Sequence, residues 1–307
     1  MEHTVDMKLA ILTTLAIACS ACASTPPTAS PAAPPAATSR VPAHAQGALK
    51  IALPASAPQA SLVFGKAPAD SLIVYDGRTF HAASDGTFVF GLARTQTGQA
   101  TLHITAADGR TATVSIAITP RAFRTEVING VPEKTVKPPP EIAAHIEREQ
   151  AQVNAARSRD DDRTDFEQRF IWPVKGRISG VFGSQRIYNG TPGAAHSGVD
   201  IATAKGTPIV APAGGIVTFA NADLYLTGGT VLIDHGHGVS SNFLHMSRID
   251  VKVGQRVEQG QTIGLVGATG RATGPHMHWG MNWFDVRIDP QALLESENPK
   301  PAESSSH

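Results

Sequence analysis

The sequence predicts an all-β protein, mainly antiparallel, with one connecting helix. Asp-Gly pairs separate short β-branched runs in the first half of the chain, as in β-hairpins. A stretch rich in Ala, Glu, Gln and Arg follows with helical periodicity, and glycine-punctuated apolar runs fill the second half. We therefore expect a small N-terminal β-sandwich-like accessory domain, a helix, and a C-terminal Gly-rich antiparallel β domain.

Composition excludes several classes of function. The 307 residues include 26 Lys plus Arg and 26 Asp plus Glu, so the formal net charge is zero and no basic footprint for nucleic acid exists. The two cysteines are Cys19 and Cys22, both near the amino terminus. Any metal in the folded part must therefore be bound by histidine and carboxylate.

Residues 1–23 have the features of an export signal. The apolar run at 9–18 is too short to span a bilayer, and the basic start appears only at Met7-Lys8, which makes Met7 a candidate true start. Cleavage after Ala23 predicts soluble export to the periplasm. Lipidation at Cys19 or Cys22 is the alternative, and it would anchor the protein to the outer membrane by an N-terminal lipid. The sequence leaves both open.

Residues 24–47 are rich in Ala, Pro, Ser and Thr and predict a disordered tether. Residues 48–120 contain the Asp-Gly hairpin signals at 76–77, 85–86 and 108–109 and form the predicted accessory domain. His81 and His103, within this segment, have no partners at ligand spacing and are expected to be ordinary strand residues.

Residues 121–169 are predicted to be a linker with a helix at about 141–159, which begins after three prolines. The charged run 159–163 is expected to be a solvated loop that ends the helix. Residues 296–307 are predicted to be a disordered tail.

The C-terminal domain is placed at 170–295. Its predicted strands are 209–211, 215–220, 230–234, 241–245, 261–266 and 276–283, with glycines at the turns between them.

Histidines and one aspartate in this domain have the types and number of a catalytic zinc site. Such sites take three ligands from His and Asp or Glu, and His196, Asp200 and His278 would supply them. Residues four apart on a straight strand lie roughly 13 Å apart, so the chain between His196 and Asp200 must bend, and we expect Gly198 to permit the bend. His276 and His278 would share one face of a strand.

Seven segments around these residues resemble, in order, the motifs of the lysostaphin-type peptidoglycan endopeptidases, the M23 metallopeptidase family. They are AHSGVDIA at 195–202, GTPIVAP at 206–212, GGIV at 214–217, DHGHG at 234–238, LHMS at 244–247, VGQRVEQG at 253–260 and GRATGPHMH at 270–278. The similarity covers about residues 171–292.

The resemblance implies roles for five residues. His196, Asp200 and His278 correspond to the Zn²⁺ ligands, and His245 and His276 to two unliganded catalytic histidines that face the attacking water. Which of those two is the general base stays open. Phe243 stands where the family commonly has Tyr. His235 and His237 lie outside the ligand positions and are expected to be exposed turn residues.

The function implied is a zinc metalloendopeptidase that hydrolyses peptide bonds in peptidoglycan stem peptides or cross-links, facing the cell wall. One alternative is an inactive family member that regulates another wall hydrolase, although such members lack ligands that are present here. Another is a lipoyl-type carrier, suggested by 251–263, but Lys252 does not lie at a hairpin tip. The bond cleaved and the oligomeric state are not predicted.

Overall fold

A computed structural model describes residues 47–130 and 133–295. The predicted signal peptide at 1–23, all but the last residue of the tether at 24–47, and the tail at 296–307 lie outside the described residues. Within the described ranges, no helix has the length and apolar character needed to cross a membrane. The predicted fold class is confirmed, since strands dominate and one long helix connects them.

The N-terminal part contains seven strands in two sheets. They are β1 (Ser56–Pro58), β2 (Leu62–Lys66), β3 (Leu72–Tyr75), β4 (Arg78–His81), β5 (Thr87–Gly91), β6 (Gln99–Thr105) and β7 (Thr111–Thr119). The larger sheet has the order β1-β7-β6-β3-β4, and β2 pairs with β5. Asp76-Gly77 and Asp108-Gly109 form the hairpin turns of β3–β4 and β6–β7, as predicted. His81 and His103 are exposed strand residues, also as predicted.

The third Asp-Gly pair does not make a hairpin between neighbouring strands. Strand β5, which follows Asp85-Gly86, pairs with β2 in the other sheet rather than with β4. The carbonyl of Gly86 accepts from the Ala67 amide at 2.9 Å, and the Asp85 carboxylate accepts from Lys66 at 2.6 Å. These contacts hold the turn beside the end of β2, so the strand that follows it joins the sheet of β2.

The connecting segment contains strand β8 (Thr125–Ile128), a short helix α1 (Glu133–Val136) and the long helix α2 (Pro140–Arg157). Proline suits the first turn of α2 because its missing amide hydrogen would have no partner there. Strand β8, which the sequence did not predict, pairs in parallel with a strand of the C-terminal part. A 3₁₀ turn at Asp165–Glu167 ends the segment.

The C-terminal part contains thirteen strands and a short last helix, α3 (Gln291–Glu295). The strands are β9 (Arg177–Gly180), β10 (Gln185–Tyr188), β11 (Thr191–Ala195), β12 (Gly198–Ala202), β13 (Pro208–Val210), β14 (Gly215–Leu224), β15 (Gly228–Asp234), β16 (Val239–Met246), β17 (Arg248–Ile249), β18 (Arg256–Val257), β19 (Thr262–Leu265), β20 (His276–Trp283) and β21 (Val286–Ile288). Each of the six predicted strands coincides with one of these.

The main sheet has the order β18-β14-β15-β16-β20-β12-β9, and β21 pairs with the end of β20. Smaller sheets are β13-β19-β17 and β11-β10-β8. Along β20, Met277, Trp279, Met281 and Trp283 are buried on one face. His276, His278 and Asn282 lie on the opposite face, which we call the histidine face.

Helix α2 packs on the histidine face. Val153 of α2 contacts Leu224 and Leu232 in a small buried cluster, and Leu232 is directly opposite Asn242 in the sheet register. The Glu149 carboxylate accepts from the Tyr225 amide at 3.0 and 3.1 Å, which ties the helix to the loop after β14.

One buried core extends from the first strands into the main sheet. The ring of Trp283 packs edge-on against Phe80, with centroids 5.2 Å apart, and lies 6.0 Å from the ring of Tyr75. The described residues all belong to one compact unit. The separate accessory domain at 48–120 and the boundary at 170 stay predictions.

Candidate metal centre

Three buried side chains converge on the histidine face. Nε2 of His196 lies 3.0 Å from Oδ1 of Asp200 and 3.0 Å from Nδ1 of His278. Nδ1 of His278 lies 2.8 Å from the same carboxylate oxygen. The three residues form a group that could hold a metal ion, and all are buried. The sequence spacing therefore selected residues that the fold brings together.

The backbone break that joins His196 to Asp200 differs from the expected bend. Strand β11 ends at Ala195 and β12 begins at Gly198, so the break lies at His196 and Ser197. Gly198 is already within β12 and is not among the residues with positive φ. A Cβ there would lie 2.3 Å from the Trp279 carbonyl oxygen and 2.7 Å from Nε2 of His278. Residue 198 must be glycine because a side chain would collide with Trp279 and His278, and not because the backbone turns there.

Hydrogen bonds to neighbouring groups orient two of the three ligand candidates. Nδ1 of His196 lies 3.0 Å from the Val181 carbonyl, to which it must donate, so Nε2 keeps its lone pair. The Arg186 guanidinium donates to Oδ2 of Asp200 at 2.9 Å, which leaves Oδ1 facing the histidines. Glu126 of β8 lies 3.6 Å from Nε of the same arginine.

The protonation states suit a cation. Burial opposes ionisation of Asp200, but its contacts with His196 and His278 lower its pKa far below the ordinary value. Burial lowers the pKa of His278 to about 4, so this imidazole is neutral at pH 7.

The two predicted catalytic histidines lie beside this group. The rings of His245 and His276 have centroids 4.7 Å apart, and the His245 ring is 6.5 Å from that of His278. Nδ1 of His245 donates to the Thr269 carbonyl at 2.8 Å, and Nδ1 of His276 to the Gly274 carbonyl at 2.9 Å. Both rings thus keep an Nε2 lone pair that can accept a proton.

His245 owes its position to a β-bulge. Pairing of β15 with β16 shifts between Gly229 and Val231, and His245 has a φ of 63°, in the left-handed region. Leu244, opposite His278, is on the histidine face, so regular alternation would turn His245 away from it. Burial lowers the pKa of the His245 imidazole to about 4.

His235 and His237 are buried, and the expectation that they are exposed was wrong. His235 is 0% exposed, and its ring nitrogens lie 2.7 Å from the Gly214 carbonyl and 2.9 Å from Oγ of Ser241. His237 is 4% exposed and packs against the ring of Phe166, with centroids 5.2 Å apart.

The cause is the chain before residue 170, which covers this turn. The amide of Phe166 donates to the His235 carbonyl at 3.0 Å, and the His237 amide donates to Asp161 at 2.9 Å. Arg163 pairs with Asp165 and Asp234. The charged run 159–163 is therefore only partly solvated, and Asp234 is a strand-end residue rather than a fourth ligand candidate.

The residues fit zinc. Bonds of about 2.0–2.2 Å in a tetrahedron require ligand atoms about 3.3 Å apart, and the three atoms here are 2.8 to 3.0 Å apart. Nε2 of His196 presents a lone pair and Asp200 a carboxylate oxygen, and Nδ1 of His278 presents a second lone pair when its ring proton is on Nε2, so a cation would satisfy all three atoms.

The fold and the site together define a β protein with a buried His-Asp-His group that could hold a metal ion. The model of "Peptidase family M23" matches residues 194–290. A crystal structure of a putative peptidase M23 from Pseudomonas aeruginosa is 33% identical, with a TM-score of 0.59, over 77% of this chain and 94% of that one. The chain belongs to peptidase family M23, whose members are zinc metallopeptidases.

Two curated relatives match over shorter segments. The peptidoglycan DD-endopeptidase ShyA of Vibrio cholerae is 42% identical over 113 residues, which are 36% of this chain and 26% of the relative. The cell division protein DipM of Caulobacter vibrioides is 33% identical over 134 residues, 44% of this chain and 20% of the relative. The match thus spans about a quarter or less of each relative's length.

Arg186 is the residue of the site that sequence reasoning missed. It precedes the family-matched segment and has no ligand-type spacing to His196 or Asp200. Its position in β10, just ahead of the histidine motif, was the one available signal.

Proposed function

We propose that this chain is a zinc-dependent endopeptidase that hydrolyses peptide bonds in peptidoglycan. One observation carries the proposal: three buried ligand atoms lie within 4.8 Å of one another, next to two imidazoles whose Nε2 atoms are free to accept a proton. In this proposal His196, Asp200 and His278 hold the metal, and His245 and His276 move protons.

The chemistry follows from the tautomers of these two histidines. When bound, zinc would acidify a water molecule and polarise the scissile carbonyl. An Nε2 lone pair of His245 or His276 accepts the proton from the attacking water. The resulting imidazolium then donates this proton to the leaving amine. The carbonyls of Thr269 and Gly274 keep both rings in the required orientation.

The proposed substrate and location rest on the relatives. ShyA is named a peptidoglycan DD-endopeptidase, so we propose stem peptides or cross-links as the substrate and a site of action outside the cytoplasm, either periplasmic or anchored at the outer membrane. All five proposed site residues lie between His196 and His278. Residues 48–120 are accordingly proposed as an accessory domain that takes no part in the reaction.

Digestion of isolated peptidoglycan tests the proposal. The full chain with zinc should release muropeptides, whose masses identify the bond cut. Asp200→Asn and His278→Ala should release none, and His103→Ala, at an exposed strand position, should match the wild type. Wild-type protein that contains zinc but releases nothing would instead support a regulator of another hydrolase.

A further inference from the structure

Two arginines on the histidine face have no acidic partner. Arg157 ends α2 and is only 8% exposed, and Arg287 lies in β21. Among the described residues, neither guanidinium lies within 4.0 Å of a carboxylate oxygen. Their hydrogen bonds are to amides, from Arg157 to Asn154 at 3.3 Å and from Arg287 to Asn282 at 3.1 Å.

The two positive charges also act on each other. Burial, together with the charge of Arg287, lowers the pKa of Arg157 to about 9. Burial lowers the pKa of Arg287 as well. A buried cation without a counter-charge is costly, and a pair of them is more so, because each repels the other where water screens poorly. An anion bound near both guanidinium groups would reduce this unfavourable electrostatic free energy.

The surrounding polar atoms supply further donors. Oδ1 of Asn282 accepts from Arg287 and, at 3.4 Å, from Asn242, which fixes the orientation of its amide. Nδ2 of Asn282, Nε of Arg157 and Oγ of Ser240 are buried without hydrogen-bond partners. In the sheet register Asn282 is directly opposite Ser240 on one side and Arg287 on the other. The cluster is therefore rich in unused donors.

This cluster continues the row of side chains that begins at the metal centre. Asn282 is four residues beyond His278 on the same face of β20, a distance of roughly 13 Å. Between them, the Asn242 side chain lies against Gly280, where a Cβ would meet its amide at 2.6 Å. An extended peptide covers that distance with about four residues.

We propose that Arg157 and Arg287 form a subsite for a carboxylate group of the peptide substrate. The proposal rests on the endopeptidase function proposed above, and it makes the enzyme selective for substrates with an acidic group several residues from the cleaved bond. Guanidinium groups suit this task because their fork of donors matches the two oxygens of a carboxylate.

A pair of matched substrates tests the subsite. Disaccharide-peptide dimers with free peptide carboxylates are compared with the same dimers after conversion of those groups to carboxamides. The full-length, zinc-loaded wild type should prefer the carboxylate form by about tenfold or more in kcat/KM, mainly through KM, as expected for a charge-assisted contact. Arg157→Gln and Arg287→Gln should bring this ratio close to one.

Arg148→Gln is the control, since Arg148 is an exposed arginine of the same helix. It removes the same charge and should keep the wild-type ratio. Arg287→Lys keeps the charge without the fork and should give an intermediate ratio, which serves if a glutamine variant fails to fold. A wild type with equal rates on the two substrates, or variants that keep its preference, would overturn the proposal.

An acetate titration separates failure of the subsite from failure of the proposed function. At constant ionic strength, acetate in place of chloride should raise the melting temperature of the wild type but not of Arg287→Gln. If the wild type cleaves neither dimer, the endopeptidase proposal fails, and acetate stabilisation lost in Arg287→Gln would still support a carboxylate site. Equal stabilisation of both proteins, or none, would reject the site itself.

Discussion

Arg186 donates a hydrogen bond of 2.9 Å to Oδ2 of Asp200, whose other oxygen faces His196 and His278. The arginine belongs to β10 and is approached from β8 by Glu126. The direction of the proposed metal-binding carboxylate is thus set by strands outside the histidine motifs.

Replacing Arg186 should weaken zinc binding while leaving the ligand set complete. Loss of a contact that orients a ligand typically reduces metal affinity about 10- to 100-fold, and we expect Arg186→Gln to fall in that range. Competition with a chromophoric chelator measures the affinity. Arg177→Gln, at an exposed position in β9, is the control. Equal zinc affinity in the two variants would contradict a positioning role.

Gly198→Ala should disturb the metal centre through a single methyl group. Its Cβ would lie 2.3 Å from the Trp279 carbonyl oxygen and 2.7 Å from Nε2 of His278, so the strands must separate. We expect a loss of about 1–3 kcal/mol in the free energy of unfolding and weaker zinc binding. Gly274→Ala, where nothing lies within 4 Å and φ is not positive, should change neither quantity. Denaturant titration compares the two.

His245→Asn separates the imidazole from the backbone strain. Asparagine tolerates positive φ better than most residues, so the bulge at φ 63° should persist and the melting temperature should stay close to the wild-type value. Loss of proton transfer should lower kcat by about 10²- to 10⁴-fold with zinc content unchanged. A variant that retains wild-type kcat would exclude His245 from proton transfer.

Asp165→Asn should destabilise the protein strongly. This carboxylate is 7% exposed and accepts from both Nη atoms of Arg256, at 2.6 and 2.7 Å, and from Arg163 at 2.8 Å. Asp165 is buried, whereas the Arg256 side chain is 41% exposed and partly screened by water, so we expect a loss of about 1–3 kcal/mol in the free energy of unfolding. The matched control is Asp250→Asn, which breaks an equally bidentate but exposed pair with Arg248 and should leave the melting temperature unchanged. Similar effects of the two changes would refute the importance of burial here.

Buried His235 should make stability depend on pH in mildly acidic solution. Burial lowers its pKa from 6.5 to about 4, although Asp165 opposes the shift, while Arg163 and Arg256 add to it. Between these values the unfolded chain binds more protons than the native protein, so stability falls as pH falls from 6.5 to 4, by about 3 kcal/mol in all.

His235→Gln should reduce that slope by the contribution of one histidine, since glutamine does not titrate, while His245 and His278, whose pKa values burial also lowers to about 4, still contribute. Denaturant midpoints at pH 7, 6, 5 and 4, measured with zinc present, give the comparison. His103→Gln, at an exposed strand position, should keep the wild-type slope. A slope in His235→Gln equal to that of the wild type would assign the pH dependence to other groups.

The sequence was informative where local pattern and chemistry coincide. Alternation along 276–283 correctly predicted β20, and the ligand spacing selected three residues that meet in space. The bend at Gly198 was misjudged because a glycine needed for clearance and one needed for a turn look identical in a sequence. The clearance depends on Trp279 and His278, which are distant in the chain.

Other features depend on contacts between remote segments. His235 and His237 were expected to be exposed because their turn is rich in glycine, but Asp161 and Phe166 cover it. Strand β8 has three β-branched residues among its four, but it is short, and its pairing with β10 cannot be read from the sequence. The bulge at His245 likewise has no local signature, since it arises from a register shift against β15.

Strand β8 and helix α2 limit which part of the chain can be transferred into another protein. The family-matched segment begins at residue 194, yet Glu126 and Arg186 lie before it, as does Glu149, which holds the Tyr225 amide. A gene fusion that transplanted residues 194–290 alone would deliver the three ligand candidates without the strands and helix that orient them. The smallest cassette that carries the whole arrangement starts no later than β8, at Thr125.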